Sequence, residues 1–207
     1  MQQKSGTNYC STHASLNDLQ HRSFARKVAV FLGCIMSSII FITGGVKSGK
    51  SRLGLKCLET LTAQPLLLAT ARRTDDEMSA RIDRHIADRP EHWSSIETPI
   101  ELPSALIEHQ QPLLIDCLGV WLTNILVEQP NALPHYKEAL LASLIQRTTA
   151  TVIISNESGL GVIGASALTR QFVDELGLLN QQIAQLADHM AMSISGQTLW
   201  LKGNYSF

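Results

Sequence analysis

The chain of 207 residues has almost no net charge, −1 at neutral pH with histidine neutral. A nucleic-acid-binding surface usually leaves a basic excess, and none is present, so no nucleic-acid partner is expected. Cysteine is scarce and scattered. Cys10, Cys34, Cys57 and Cys117 form no CxxC pair and no metal-ligand cluster. That argues against a disulfide framework and for reduced thiols in a cytoplasmic protein. Internal repeats and low-complexity linkers are absent after residue 35. Long uncharged runs are absent too, with one exception. "VAVFLGCIMSSIIFITGGV", from Val28 to Val46, carries no charge and follows "HRSFARK". It has the look of a signal anchor. Its second half, "SIIFIT", runs straight into a glycine-rich loop and reads as a buried strand. A membrane span cannot also be that strand, so no span is expected.

The first 35 residues are polar and show neither helical nor strand period. Such a segment cannot bury enough apolar surface to order itself. Residues 1–35 are expected to be a poorly ordered or dispensable extension, and 36–207 a single domain. Within that domain, short apolar runs alternate with longer amphipathic ones. "SIIFIT" (38–43), "PLLLAT" (65–70), "PLLID" (112–116) and "TVIIS" (151–155) read as buried strands. The closing "MAMSISGQTLWLKG" reads as two short strands around Ser195-Gly196-Gln197. Helices are expected over 50–62, 75–89, 103–109, 119–128, 134–147 and 166–189. Alternating strand and helix implies a parallel sheet with helices on both faces. Ligands of such sheets sit outside the carboxyl ends of the strands.

The strongest motif is "FITGGVKSGKS", which follows a strand and precedes a helix. It places Gly44, Gly45, Val46, Lys47, Ser48, Gly49, Lys50 and Ser51 in a phosphate-binding loop. Backbone N–H groups of such a loop face phosphate oxygens, Lys50 reaches the β- and γ-phosphates, and Ser51 is a ligand for Mg²⁺. The helix N-terminus adds partial positive charge. The expected fold is therefore α/β, a P-loop NTPase-like three-layer sandwich with a mostly parallel sheet and a short antiparallel strand near the C-terminus. Asp116, at the end of "PLLID", suits a second acidic contact near Mg²⁺ or a cap on the next helix. "ISNESGLG" brings Asn156 and Glu157 to the same edge. Its glycines, Gly159 and Gly161, mark either a close approach to ligand or backbone, or a plain turn.

In "ATARRTDDEM", Thr74 and Glu77 have the spacing of a capping box. Arg72 and Arg73 then fall in the loop before a helix, next to bound phosphate. That helix, "MSARIDRHIADRPEHW", spaces Arg81, His85 and Arg89 four apart, on one face. Taken alone they are solvated charges. Beside a phosphate loop, the arginines suit a triphosphate, and a neutral imidazole between them is able to attack phosphorus. His92 is a further contact candidate.

Together these segments resemble the bifunctional adenosylcobinamide kinase / adenosylcobinamide-phosphate guanylyltransferase family of cobalamin biosynthesis. The resemblance runs from about Ser38 to Lys202. It rests on "TGGVKSGKS", "ATARRTDDEMSARIDRHIADRPEHW", "DCLGVWLTNIL", "SNESGLG" and the closing "LNQQIAQLADHM…SISG". It implies two reactions with ATP and GTP as substrates and Mg²⁺ as cofactor. The first phosphorylates the aminopropanol hydroxyl of adenosylcobinamide. The second carries GMP from GTP through a covalent histidine intermediate onto the new phosphate, giving adenosylcobinamide-GDP. The resemblance puts the nucleophile at His85, preceded here by Arg84 where some relatives carry a second histidine. It also implies guanine-nucleotide contacts at Arg72, Arg73, Thr74, Arg89, Pro90, Glu91 and His92, with Glu97 and Asp116, and a homo-oligomer, a trimer. Two other readings stay open: a phosphate-loop small-molecule kinase without guanylyl transfer, and a nucleotide-dependent regulatory switch.

Overall fold

Four apolar runs form the heart of a seven-stranded sheet in the computed structural model, which describes residues 38–87, 92–161 and 164–205, without side chains at 78, 81 and 84–87. The expectations for residues 1–35 lie outside the described residues. The strands are β1 (Ile39–Gly44), β2 (Leu66–Ala69), β3 (Ser94–Glu97), β4 (Leu113–Asp116), β5 (Thr151–Ile154), β6 (His189–Ile194) and β7 (Gln197–Lys202). Their order is β3-β2-β4-β5-β1-β6-β7. Every neighbouring pair is parallel except the final β6–β7 hairpin.

Side chains alternate across the sheet, as the strand period of two requires. Ile39, Phe41, Leu66, Leu68, Leu113, Ile115 and Ile153 enter one core. Ile40, Ile42, Leu67, Leu114, Val152 and Ile154 enter the other. The first core is roofed by α3 (Leu102–Glu108), α4 (Leu118–Glu128), α5 (Leu133–Gln146) and α6 (Ala167–Leu186). The second is covered by α1 (Lys50–Glu59). The remaining helix, α2 (Asp76–Ala87), follows the carboxyl end of β2. Gly54 lets α1 lie close to the sheet, since a Cβ there would meet Ile154 Cδ1 at 2.9 Å and Leu114 Cδ1 at 3.1 Å. No helix among the described residues is long and apolar enough to cross a membrane. The second half of the uncharged run is β1, a strand with neighbours on both sides.

Sequence and structure differ in several places. β3 has no counterpart among the expected strands. "SSIE" is a mostly exposed edge strand with no apolar run, and only its pairing with β2 makes it a strand. The helix expected over 50–62 stops at Glu59, where Thr60 Oγ1 donates back to the Cys57 carbonyl. The helix expected over 166–189 ends at Leu186 because the chain has joined the sheet by Asp188. There the Asp188 carboxylate accepts the Ile39 N–H at 2.8 Å, and the Asp188 N–H donates to the Ile39 carbonyl at 2.9 Å. The helix expected from residue 75 begins at Asp76, so Asp75 and not Thr74 precedes it. The Thr74 hydroxyl donates to the Asp75 carboxylate instead of completing the expected capping box.

The amino-end side of the sheet is tied by one buried cation. Arg147 donates to the carbonyls of Leu106, His109 and Gln111 and to the hydroxyls of Thr149 and Thr151, all at 2.7–2.8 Å. A planar guanidinium has the donors for that many acceptors, which is why arginine is found here.

Candidate active site

β1 delivers the phosphate loop at the carboxyl edge of the sheet, and α1 begins at Lys50 as soon as the loop closes. The loop needs unusual backbone at two places: Gly49 has φ 97° and Lys47 has φ 55°. Glycine meets the first requirement at no steric cost. Gly44 is required for space, because a Cβ there would lie 2.5 Å from the Ser193 carbonyl oxygen. Lys50 is buried, and its ammonium donates to the Gly45 carbonyl at 2.8 Å. The ammonium is thereby held against the loop backbone. Gly45, Val46 and Lys47 are exposed at the loop's crest, Ser48 is buried beneath it, and Ser51 is half-buried in the first turn of α1.

Asp116 ends β4 and shares a row with Ile154 and, one strand further, Ile42. Two strand spacings separate β4 from β1, about 10 Å. Thr70 fixes this end of β4. Its hydroxyl donates to the Cys117 carbonyl at 2.8 Å and accepts the Cys117 N–H at 2.9 Å. Burial pushes the Cys117 thiol up to about 11, and the neighbouring Asp116 adds to the shift. Burial likewise takes Cys57 to about 12. Both thiols are protonated at neutral pH, so neither is a nucleophile.

The "SNESGLG" segment is anchored beside the loop. The Glu157 N–H donates to the Gly44 carbonyl at 3.1 Å. Asn180 of α6 accepts from Ser155 Oγ at 2.6 Å and donates to the Asn156 carbonyl at 3.0 Å. Among the described residues, Gly161 has open space where a Cβ would point, and at Gly159 only Val173 comes within reach, at 3.9 Å. Neither glycine is held by a close backbone contact among the described residues.

β2 is separated from β1 by β4 and β5 in the sheet. Arg72 pairs with Glu128 at the end of α4, and Arg73 pairs with Asp83 of α2 at 2.7 Å. Asp83 holds the Arg73 guanidinium above its ordinary range, and Arg73 holds the Asp83 carboxyl below its own. Arg72 and Glu97 come together in a groove of about 640 Å³ at the carboxyl ends of β2 and β3, with Glu101 and Glu128 on its walls. Asn124 of α4 braces this groove by donating to the carbonyls of Thr70 and Pro99 at 2.9 and 3.0 Å. Trp121 Nε1 donates to the Ile100 carbonyl at 2.8 Å. Thr74 and His92 are exposed near the two ends of α2. α2 carries Arg81, Arg84 and His85 in its sequence, but their side chains, and all of Arg89, Pro90 and Glu91, lie outside the described residues.

The site therefore divides into a phosphate loop over β1 and a charged groove at the β2–β3 end. Sequence reasoning assigned no role to Thr70, Asn124, Asn180 or Ser193, which shape the two parts. All four lie inside quoted motifs: Thr70 in "ATARRTDDEM", Asn124 in "DCLGVWLTNIL", Asn180 in "LNQQIAQL" and Ser193 in "SISG".

Known proteins resemble this chain over nearly all of the described residues. The family model described as cobinamide kinase / cobinamide phosphate guanyltransferase matches residues 40–201. The bifunctional adenosylcobalamin biosynthesis protein CobP of Pseudomonas aeruginosa is 40% identical over 166 residues, 78% of this chain and 96% of that protein. The CobU protein of Escherichia coli K12 is 33% identical over 175 residues, 76% and 96% of the two chains. Among solved structures, a KaiC-like protein from Pyrococcus horikoshii OT3 aligns at a TM-score of 0.42 and 14% identity, covering 76% of this chain and 71% of its own. The family match spans the phosphate loop, the groove and the hairpin alike, and with the two bacterial relatives it establishes that the chain belongs to the cobinamide kinase / cobinamide phosphate guanyltransferase family.

Proposed function

We propose that this chain carries out both reactions named for its family, with adenosylcobinamide as the first acceptor. The observation that carries the reading is the phosphate loop, seated on strand and helix inside a family match over residues 40–201. In the kinase step, the aminopropanol hydroxyl oxygen bonds to the γ-phosphorus of ATP or GTP. The bond from that phosphorus to the β–γ bridging oxygen breaks, the hydroxyl proton leaves, and a nucleoside diphosphate departs. Lys50 and the loop N–H groups bind the β- and γ-phosphates and offset the charge that moves onto the leaving oxygen. Mg²⁺ would be held by the Ser51 hydroxyl and the Asp116 carboxylate, hard oxygen donors of the kind it takes. When bound, it supplies positive charge to the phosphate oxygens.

In the second step, His85 attacks the α-phosphorus of GTP and pyrophosphate leaves. A phosphate oxygen of adenosylcobinamide phosphate then displaces the imidazole and takes the GMP, giving adenosylcobinamide-GDP. The covalent route splits one difficult transfer into two easier ones. Arg81 and Arg89 steady the triphosphate. Arg72, Arg73, Thr74, Pro90, Glu91, His92 and Glu97 make up the guanine-nucleotide contacts. The free thiols Cys57 and Cys117 suit a reducing cytoplasm. The family resemblance favours a trimer.

Covalent labelling tests the reading. Wild type incubated with Mg²⁺ and GTP labelled at the α-phosphate is expected to keep an acid-labile, alkali-stable label after denaturation, and His85→Ala to keep none. Phosphorylation of cobinamide without any such label would leave a kinase alone and turn attention to Arg84. Slow hydrolysis with neither transfer would favour a nucleotide switch.

A further inference from the structure

The closing "SISG" has no role in the mechanism above, yet it lies directly against the phosphate loop. Ser193 is 2% exposed, and its hydroxyl donates to the Ser48 carbonyl at 2.7 Å. The Gly196 N–H donates to the same carbonyl at 2.9 Å. A carbonyl oxygen has two lone pairs, so both are taken. The Ser48–Gly49 peptide is trans, and in a trans peptide the N–H points opposite to the C=O. With the Ser48 carbonyl turned to the hairpin, the Gly49 N–H is turned away from it.

The two surfaces leave little slack. A Cβ on Gly49 would meet Gly196 Cα at 3.3 Å and Ser193 Oγ at 3.5 Å. The hairpin turn is itself fixed, with Ser195 at φ 51° and Gly196 at φ 79° between the paired residues Ile194 and Gln197. Two successive positive φ values belong to the tight two-residue turn that matches strand twist.

We propose that Ser193 is a positioning residue for nucleotide binding: through the Ser48 carbonyl it holds the Gly49 N–H in its phosphate-facing orientation. The proposal rests on the reading of Gly44–Ser51 as a nucleotide site. It concerns binding common to ground and transition states, so its signature is a raised KM for nucleotide with kcat little changed.

The test compares wild type, Ser193→Ala, Ser193→Thr and the exposed hairpin control Leu199→Ala, all as full chains. Affinity for a non-hydrolysable ATP or GTP analogue is measured by calorimetry, with KM for each substrate alongside. Ser193→Ala is expected to weaken nucleotide binding about 3- to 10-fold, the worth of one hydrogen bond. KM for cobinamide stays unchanged. Ser193→Thr, which keeps the hydroxyl, restores most of the affinity. Leu199→Ala behaves as wild type. Unchanged affinity in Ser193→Ala, or equal rises in both KM values, would overturn the proposal. Hydrogen exchange on the wild type gives an answer that depends on no variant folding. The Gly49 amide is expected to gain protection when the analogue binds, and an amide indifferent to it would sink the idea. If wild type bound no nucleotide at all, the nucleotide reading itself would fall, a result distinct from a binding wild type and an unaffected Ser193→Ala.

Discussion

Single atoms set the limits of this site. At Gly44 the nearest obstacle to a side chain is the backbone oxygen of Ser193, which cannot rotate away as a side chain would. Gly44→Ala is therefore expected to cost about 1–3 kcal/mol, the range for forced overpacking, and to weaken nucleotide binding as the loop shifts. Thermal melting with and without nucleotide measures both. Thr70 is fully buried and bonds to both the N–H and the carbonyl of Cys117. Thr70→Val keeps the shape and removes the bonds, so a loss of about 1–3 kcal/mol is expected in urea denaturation. Thr70→Ser is expected to recover much of it. The phosphate-loop residues were legible in the sequence because their spacing is the chemistry. Thr70, Asn124 and Asn180 were not. A hydroxyl or amide shows its role only through a partner, and for Thr70 that partner is 47 positions away.

Elements were legible where burial imposed a period. β1, β2, β4 and β5 are runs of apolar residues covered on both faces, and a run of that kind has few other uses. β3 is not legible in the sequence because nothing about "SSIE" is apolar enough to require burial, and it is this strand that brings Glu97 to the groove that Arg72 also lines. The strand order was equally out of reach, since composition does not say which parallel strands are neighbours. That order is what sets β4 and β5 between β2 and the strand that carries the phosphate loop. The connection from α5 to β5 depends on a single side chain. Arg147→Met would strip donors from the carbonyls of Leu106, His109 and Gln111. The expected loss is on the order of 3 kcal/mol or more, read as a lower denaturation midpoint. Arg147→Lys is expected to rescue little, because an ammonium cannot reproduce a planar fork.

At the scale of the whole molecule, the C-terminal end closes over the second core through His189, Trp200 and Tyr205. The His189 ring lies 6.4 Å from that of Trp200 and 5.5 Å from that of Tyr205. Its Nδ1 is buried with no hydrogen-bond partner among the described residues. Burial holds His189 below the ordinary histidine range, against the opposite pull of Asp188. As pH falls past the unfolded value near ~6.5, the unfolded chain takes up this proton before the folded one does. Stability therefore drops with acid through that window and is regained as pH rises. The melting temperature is expected to be lower at pH 5.5 than at pH 7.5. His189→Phe, which keeps a ring and cannot titrate, is expected to shrink the difference; an undiminished difference would place its source elsewhere. The bond between Ser193 and Ser48 spans 145 positions, and it has a consequence for how the protein is made. A ribosome delivers the phosphate loop 145 residues before the serine that bonds to it. Until the hairpin emerges, the nascent chain carries the loop without the bond that steadies the Ser48 carbonyl.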